Sequence, residues 1–191
     1  PVTYTFVGLG YIWCLAGTRV YRISISSGTV TASKTNFSDA TLHGVEFEGA
    51  VYVTLETGVV WKMTTIVGGG PDTWTTGTAT AEALYLAKGF NRMFKIHNPD
   101  SSTVTIKNIG IGLDPTDETD WADEVTAPGQ ATDIIAYDRT VLIDAGNENG
   151  IYAVGEEGFG VPQARRIHPT GNWKFIEPYI YIPHDDGTVR Y

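Results

Sequence analysis

Short runs of apolar and β-branched residues recur along the chain, each bounded by Gly, Asn, Asp or Pro, which is the signature of strands joined by turns. One hairpin pattern repeats. Residues 11–15 and 19–25 flank a turn at Gly17-Thr18, and residues 50–55 and 59–63 flank one at Glu56-Thr57-Gly58. Residues 92–96 and 103–106 flank a turn at 98–102, and residues 140–144 and 151–154 flank one at 146–150. A fifth copy opens at 179–182, turns at Asp185-Asp186-Gly187 and runs into 188–191. Every one of these turns carries Gly, Asn or Asp, residues that tolerate the positive φ tight turns need.

Val20, Val60, Val104, Ile151 and Val189 occupy equivalent places in the five hairpins, with successive separations of 40, 44, 47 and 38 residues. An apolar segment precedes each hairpin, at 3–7, 42–47, 83–86, 133–137 and 173–176, and a more polar one follows, as at 29–32, 73–76 and 162–167. Each unit therefore reads as an inner strand, a hairpin pair and a polar outer strand. The approximate units are 3–39, 40–80, 81–130, 131–171 and an incomplete 172–191, within one repeat domain spanning 1–191. Helical periodicity is scarce; its best stretch, 81–88, closes at Gly89 and reads as a strand in this context.

Four strands in about forty residues is the size of one β-propeller blade. On the pattern at Gly58-Val-Val-Trp-Lys-Met63 and Gly150-Ile-Tyr-Ala-Val154, the chain resembles β-propellers as a class over nearly its whole length. The expected fold is all-β: a propeller, or incomplete propeller, of four-stranded antiparallel blades, with about 4.5 repeats of ~40 residues. A β-sandwich of hairpins is the competing architecture. The Gly-His and Trp-Asp signatures of WD40 propellers are absent, as is the Ser-x-Asp-x-Gly-x-x-Trp box of sialidase-like ones. Closed propellers generally have more than four and a half blades, so the resemblance implies that further sequence or other chains complete the ring. The opening at Pro1 and the ending inside a hairpin are read in the same way, as a piece of something longer.

Charged residues make up 18% of the chain and aromatic ones 12%, a strand-and-turn profile rather than a disordered or helical one. A formal net charge of −9 repels phosphate backbones and anionic lipid, which argues against nucleic-acid binding. No run of eighteen apolar residues occurs, so membrane insertion is not expected. Cys14 is the single cysteine; it excludes an intrachain disulfide and a Cys/His metal site, and its apolar strand marks it as a buried, inert thiol.

The densest acidic stretch comprises Asp114, Asp117, Glu118, Asp120, Asp123 and Glu124, read as an insertion between the third and fourth units. Ca²⁺ gathers about six to eight oxygens, which makes Asp114, Asp117 and Asp120 the metal candidates, although their spacing does not match an EF-hand and a solvated acidic loop is the competing reading. His43, His97, His168 and His184 are scattered without zinc-site spacing; His43, in an inner strand, is the best placed of them to line a channel, and an ordinary hydrogen-bonded strand histidine is the stronger reading of it. No Gly-x-Ser-x-Gly elbow is present, and Gly68-Gly69-Gly70-Pro71 lacks the Lys-Ser/Thr of a phosphate loop. Arg165-Arg166 with His168 is the one basic cluster. Trp13, Tyr21, Trp61, Tyr85, Phe94, Tyr152 and Tyr181 fall at comparable places in successive units, where blade packing would bury them, while Trp74, Trp121 and Trp173 stand apart as candidates for carbohydrate stacking.

The leading functional expectation is a non-enzymatic structural or binding module of an extracellular assembly, its concrete form a tailed-phage virion or tail protein involved in host attachment. Composition carries this weaker resemblance: acidic, nearly cysteine-free, Gly-rich β-repeats with polar turns. Its partners would be other copies or other structural proteins of the assembly, and glycan, with no cofactor required. A polysaccharide-acting propeller enzyme is the alternative from another class; Glu46, Glu82 and Asp133, near inner strands, would supply its acid and base or nucleophile. A bacterial surface adhesion propeller is the third.

Overall fold

The computed structural model describes residues 1–97, 102–137, 139–155, 165–168, 174–176, 179–183 and 189–190. Short strands dominate it. The first sheet holds β1 (Tyr4–Gly8), β2 (Tyr11–Ala16), β3 (Arg19–Ser24) and β4 (Val30–Lys34), and the second β5 (Thr41–Phe47), β6 (Ala50–Leu55), β7 (Val60–Thr65) and β8 (Thr73–Thr75). The third holds β9 (Tyr85–Gly89), β10 (Arg92–His97), β11 (Thr103–Gly110) and β12 (Ala122–Pro128). The fourth holds β13 (Asp133–Tyr137), β14 (Thr140–Asp144), β15 (Ile151–Gly155) and β16 (Arg165–His168). Three further strands, β17 (Lys174–Ile176), β18 (Tyr179–Pro183) and β19 (Val189–Arg190), form a three-stranded sheet.

Within each sheet the strands lie in chain order, and the first four sheets are the four-stranded antiparallel blades of a β-propeller. A sandwich of hairpins would pass strands from one sheet to another; here consecutive strands stay in one sheet, so the propeller expectation holds. The five anchors all fall on the third strand of their sheets, and Val20, Val60, Val104 and Ile151 are fully buried. No helix among the described residues is long and apolar enough to cross a membrane.

The chain divides into two compact units, Pro1–Lys95 with Asn108–Ala122 and Ile96–Lys107 with Asp123–Tyr191. In the first, Trp13, Leu15 and Val20 of the first sheet pack on Val51, Val53, Leu55, Met63 and Trp74 of the second, with Phe37 between them. Close approach of the inner strands demands glycine: a Cβ on Gly8 would lie 2.5 Å from that of Glu46, and one on Gly44 would collide with the Phe6 ring. A second cluster joins Phe47, Tyr52 and Val60 to Leu86, Met93, Ile109 and Trp121. In the second unit, Ile134, Ile143 and Tyr152 are buried side by side across β13, β14 and β15.

Three local expectations change. The stretch at 81–88 becomes strand only from Tyr85; before it, the Ala83 N–H donates to the Gly58 carbonyl and Ala81 accepts from the Val60 N–H, which hooks this connection onto the turn of the second sheet. The turn expected at 146–150 is the short helix α1 (Gly146–Asn149), closed by a hydrogen bond from the Gly150 N–H to the Gly146 carbonyl. The acidic stretch is no insertion between units: it connects β11 to β12 within the third sheet, and β12 itself contains Asp123 and Glu124. Most of the turn at 98–102, the turn at 185–187, the start of the 162–167 segment, Trp173 and His184 lie outside the described residues.

Candidate functional site

Each of the first three inner hairpins turns through two residues. These are Leu9-Gly10 (φ 54° and 79°), Glu48-Gly49 (48° and 72°) and Phe90-Asn91 (51° and 59°), and in the fourth sheet Arg139 (59°) precedes β14. Positive φ at both positions is the type I′ geometry that matches the twist of the flanking strands. Gly and Asn enter it cheaply, whereas a bulky Phe pays roughly 1–2 kcal/mol. Phe90 is therefore held in a costly conformation at a turn tip.

The second and third of these turns, with Ile111 at the end of β11, line a pocket of about 460 Å³. Its wall carries the Phe90 ring, which meets Phe94 edge to face at 5.3 Å, and the polar groups of Glu48, Lys88, Asn91 and Arg92. Glu48 accepts from the Gly112 N–H at 2.9 Å, Lys88 pairs with Glu46 at 2.5 Å and Arg92 donates to the Asn108 side chain. An open concavity with one ring, an exposed isoleucine and two cations can seat a ligand that has both an apolar face and hydroxyl or carboxylate groups.

The carboxylates singled out from the sequence do other work. Glu46, on β5, is drawn upward in pKa by burial, but hydrogen bonds from Lys88 and the Gly49 N–H and the Lys88 charge outweigh this and hold it below the usual carboxylate range. Glu82 lies in an isolated bridge with Val59, and its own N–H donates to Glu118. Asp133 opens β13 in the other unit and accepts from the Ile134 N–H.

Asp114, Asp117 and Asp120 each fasten their own loop. Asp114 accepts from the Thr116 N–H and hydroxyl, Asp120 from the Asp114 N–H, and Asp117 caps a 3-10 turn (Glu118–Asp120) through Thr119. The Thr119 hydroxyl and N–H hold Asp117 below its usual pKa. Among the described residues no three His, Cys, Asp or Glu side chains are grouped so as to hold a metal ion. The loop is pinned from beneath by Lys95, buried on β10, which pairs with Glu118 and lies 4.7 Å from the Trp121 ring centre.

His43 is buried on β5 between Tyr4 and Tyr85, its Nδ1 accepting from the Leu86 N–H at 3.4 Å, and burial lowers its pKa to about 3. It is a neutral core histidine. Cys14 is buried and burial raises its pKa, as expected of an inert thiol. Trp74 and Trp121 are core residues, their indole N–H groups donating to Ser33 and to the Pro115 carbonyl, so neither offers a face to a sugar. Arg165 and Arg166 are exposed on β16, and Gly68–Pro71 belong to the connection from β7 to β8.

A repeated ion pair escaped the sequence. Arg22 on β3 donates to both oxygens of Asp72 at 2.8 and 3.2 Å and to the Val67 carbonyl at 2.7 Å, which locks the β7–β8 connection onto the first sheet. Lys62 holds the same register in the second sheet, opposite Tyr52 as Arg22 is opposite Trp13, and reaches Asp114 in the β11–β12 connection at 3.8 Å. The signal was there in the repeat: Arg22 and Lys62 are 40 residues apart, and each precedes its aspartate by about fifty.

These blades make the chain a β-propeller protein. No protein-family model matches it, and no curated protein matches it. Among solved structures it is similar to the computationally designed Ika8 protein, with 13% identity and a TM-score of 0.59 over 98% of this chain and 57% of that one. It is also similar to the WD40 domain of Neurospora crassa Pan2, with 13% identity and a TM-score of 0.50 over 89% of this chain and 53% of that one. At such identities the likeness concerns the fold alone. The chain spans a little over half the length of either structure.

Proposed function

We propose that the chain is a non-enzymatic binding module of an extracellular assembly, engaging its ligand at the pocket between the Glu48-Gly49 and Phe90-Asn91 turns. The observation that carries this reading is the commitment of the candidate acidic groups to the fold. Glu46 is tied to Lys88, and Asp114, Asp117 and Asp120 to the backbone of their own loop, while Lys88, Phe90, Asn91 and Arg92 line an open concavity. Glycan is the ligand class that suits it, with the Phe90 ring against sugar C–H groups and the cations and amide toward hydroxyls or a carboxylate.

The concrete form of the assembly is a tailed-phage virion or tail, a reading motivated by the acidic, Gly-rich, nearly cysteine-free β-repeat composition; the same module on a bacterial surface would differ in gene neighbourhood. The test offers the protein immobilised bacterial surface polysaccharides and measures both retention and the reducing ends released. Retention without release, weakened at least tenfold by Phe90→Ala, is the expected result. Release of reducing ends that Glu46→Gln abolishes would replace this reading with the enzymatic one.

A further inference from the structure

The charges around the pocket are unequally committed. Lys88 and Arg92 line it as cations and Glu48 as a carboxylate, while Glu46 stands 2.5 Å from the Lys88 ammonium. The charge of Lys88 is thus met within the fold. Its side chain is still 50% exposed, and an ammonium has three N–H donors, so Lys88 remains a hydrogen-bond donor without remaining a lone charge. Arg92 donates to the side chain of Asn108, which is buried and itself donates to the Ala122 carbonyl, so the guanidinium is held at β11. Glu48 differs from all of these. One of its oxygens accepts from the Gly112 N–H at 2.9 Å, which ties the β5–β6 turn to the β11–β12 connection and fixes the carboxylate in place. The other has no hydrogen-bond partner, and Glu48 no ion pair, among the described residues. Glu48 and Phe90 are each the first residue of their turn, so adjacent turns set an acceptor and a ring on one concavity.

We infer that this pocket selects neutral sugars over acidic ones, and that Glu48 is the residue that makes the selection. The inference rests on the glycan-binding reading and decides between the two polar partners, hydroxyl and carboxylate, that it leaves open. An ionised carboxylate accepts hydrogen bonds and donates none, with room for about four. Glu48 is therefore matched to sugar hydroxyls, which donate to it. It is mismatched to the carboxylate of a uronic acid, which brings a second negative charge and no proton. Lys88 and Asn91 donate to the oxygens of the same sugar while the Phe90 ring takes its C–H face. Two like charges ~4 Å apart near a protein surface repel enough to weaken binding roughly tenfold. The formal net charge of −9 adds a long-range repulsion of polyanions.

Bacterial surface polysaccharides that contain uronic acids, immobilised before and after their carboxyl groups are reduced to primary alcohols, test it. Linkage and ring are the same in the two forms, and only the charge differs. The expected result is retention of the 191-residue chain on the reduced form roughly tenfold stronger than on the acidic form. Glu48→Gln, which removes the charge at an exposed turn tip and keeps an acceptor oxygen, strengthens retention on the acidic form and brings the two close together, with an unchanged Tm. Glu48→Asp keeps the charge and keeps the preference. Acidic forms retained as strongly as reduced ones overturn the inference, as does a Glu48→Gln variant with the preference of wild type. A preference for the acidic form that Phe90→Ala weakens overturns this selection while leaving the binding reading intact. Retention on neither form overturns both.

Discussion

Replacing Arg22 by Met isolates the contribution of the first inter-blade ion pair. The side chains of Arg22 and Asp72 are 5% and 0% exposed, and Asp72 accepts two hydrogen bonds from the guanidinium and one from the Val67 N–H. Arg22→Met leaves a buried carboxylate with a single donor, a loss of about 3–5 kcal/mol. Lys62 occupies the same register, but its pair with Asp114 is long, at 3.8 Å, and solvent-accessible, so Lys62→Met costs under about 1 kcal/mol. Thermal unfolding followed by tryptophan fluorescence reads both: at this size, about 2–4 °C per kcal/mol puts Arg22→Met some 10 °C below wild type and Lys62→Met within a few degrees. Adding Asp72→Asn to Arg22→Met removes the stranded charge and recovers part of the loss. An Arg22→Met variant within about 1 kcal/mol of wild type, or losses that simply add in the double variant, would refute the argument that burial makes one pair strong and its counterpart weak.

Three further outcomes are expected. His43 is neutral in the fold with a pKa near 3 against an ordinary 6.5, so the stability tied to it is complete above pH 6.5 and declines toward pH 3 by about 1.4 kcal/mol per unit; His43→Gln should flatten that part of a urea-midpoint profile. Gly44→Ala places a methyl group against the Phe6 ring and 3.1 Å from the Tyr52 carbonyl oxygen, and should cost about 1–3 kcal/mol in the same assay. Millimolar Ca²⁺ should move Tm by less than about 1 °C, since the Asp114, Asp117 and Asp120 carboxylates are held by their own loop; a shift of several degrees would signal a bound ion.

The blade pattern was legible because strand pairing depends on local alternation and turn residues, both written into the hairpins around Val20, Val60, Val104 and Ile151. The inner turns were harder to see. Phe90 is a poor turn former, and its positive φ is imposed by the two strands it joins. The stretch at 81–84 looked like strand because it is apolar, yet its amides are claimed by Gly58 and Thr116, partners far away in sequence. Trp74 and Trp121 looked like platforms because they break the repeat, and tertiary packing buried both. Individual charges were least legible of all: Arg22 and Asp72, 50 residues apart, become partners only once two sheets are packed.

Retention on immobilised bacterial surface polysaccharide, measured side by side for wild type and Phe90→Ala, tests the binding reading most directly. The account predicts retention without released reducing ends, weakened at least tenfold by the substitution. Retention that Phe90→Ala leaves unchanged would contradict it.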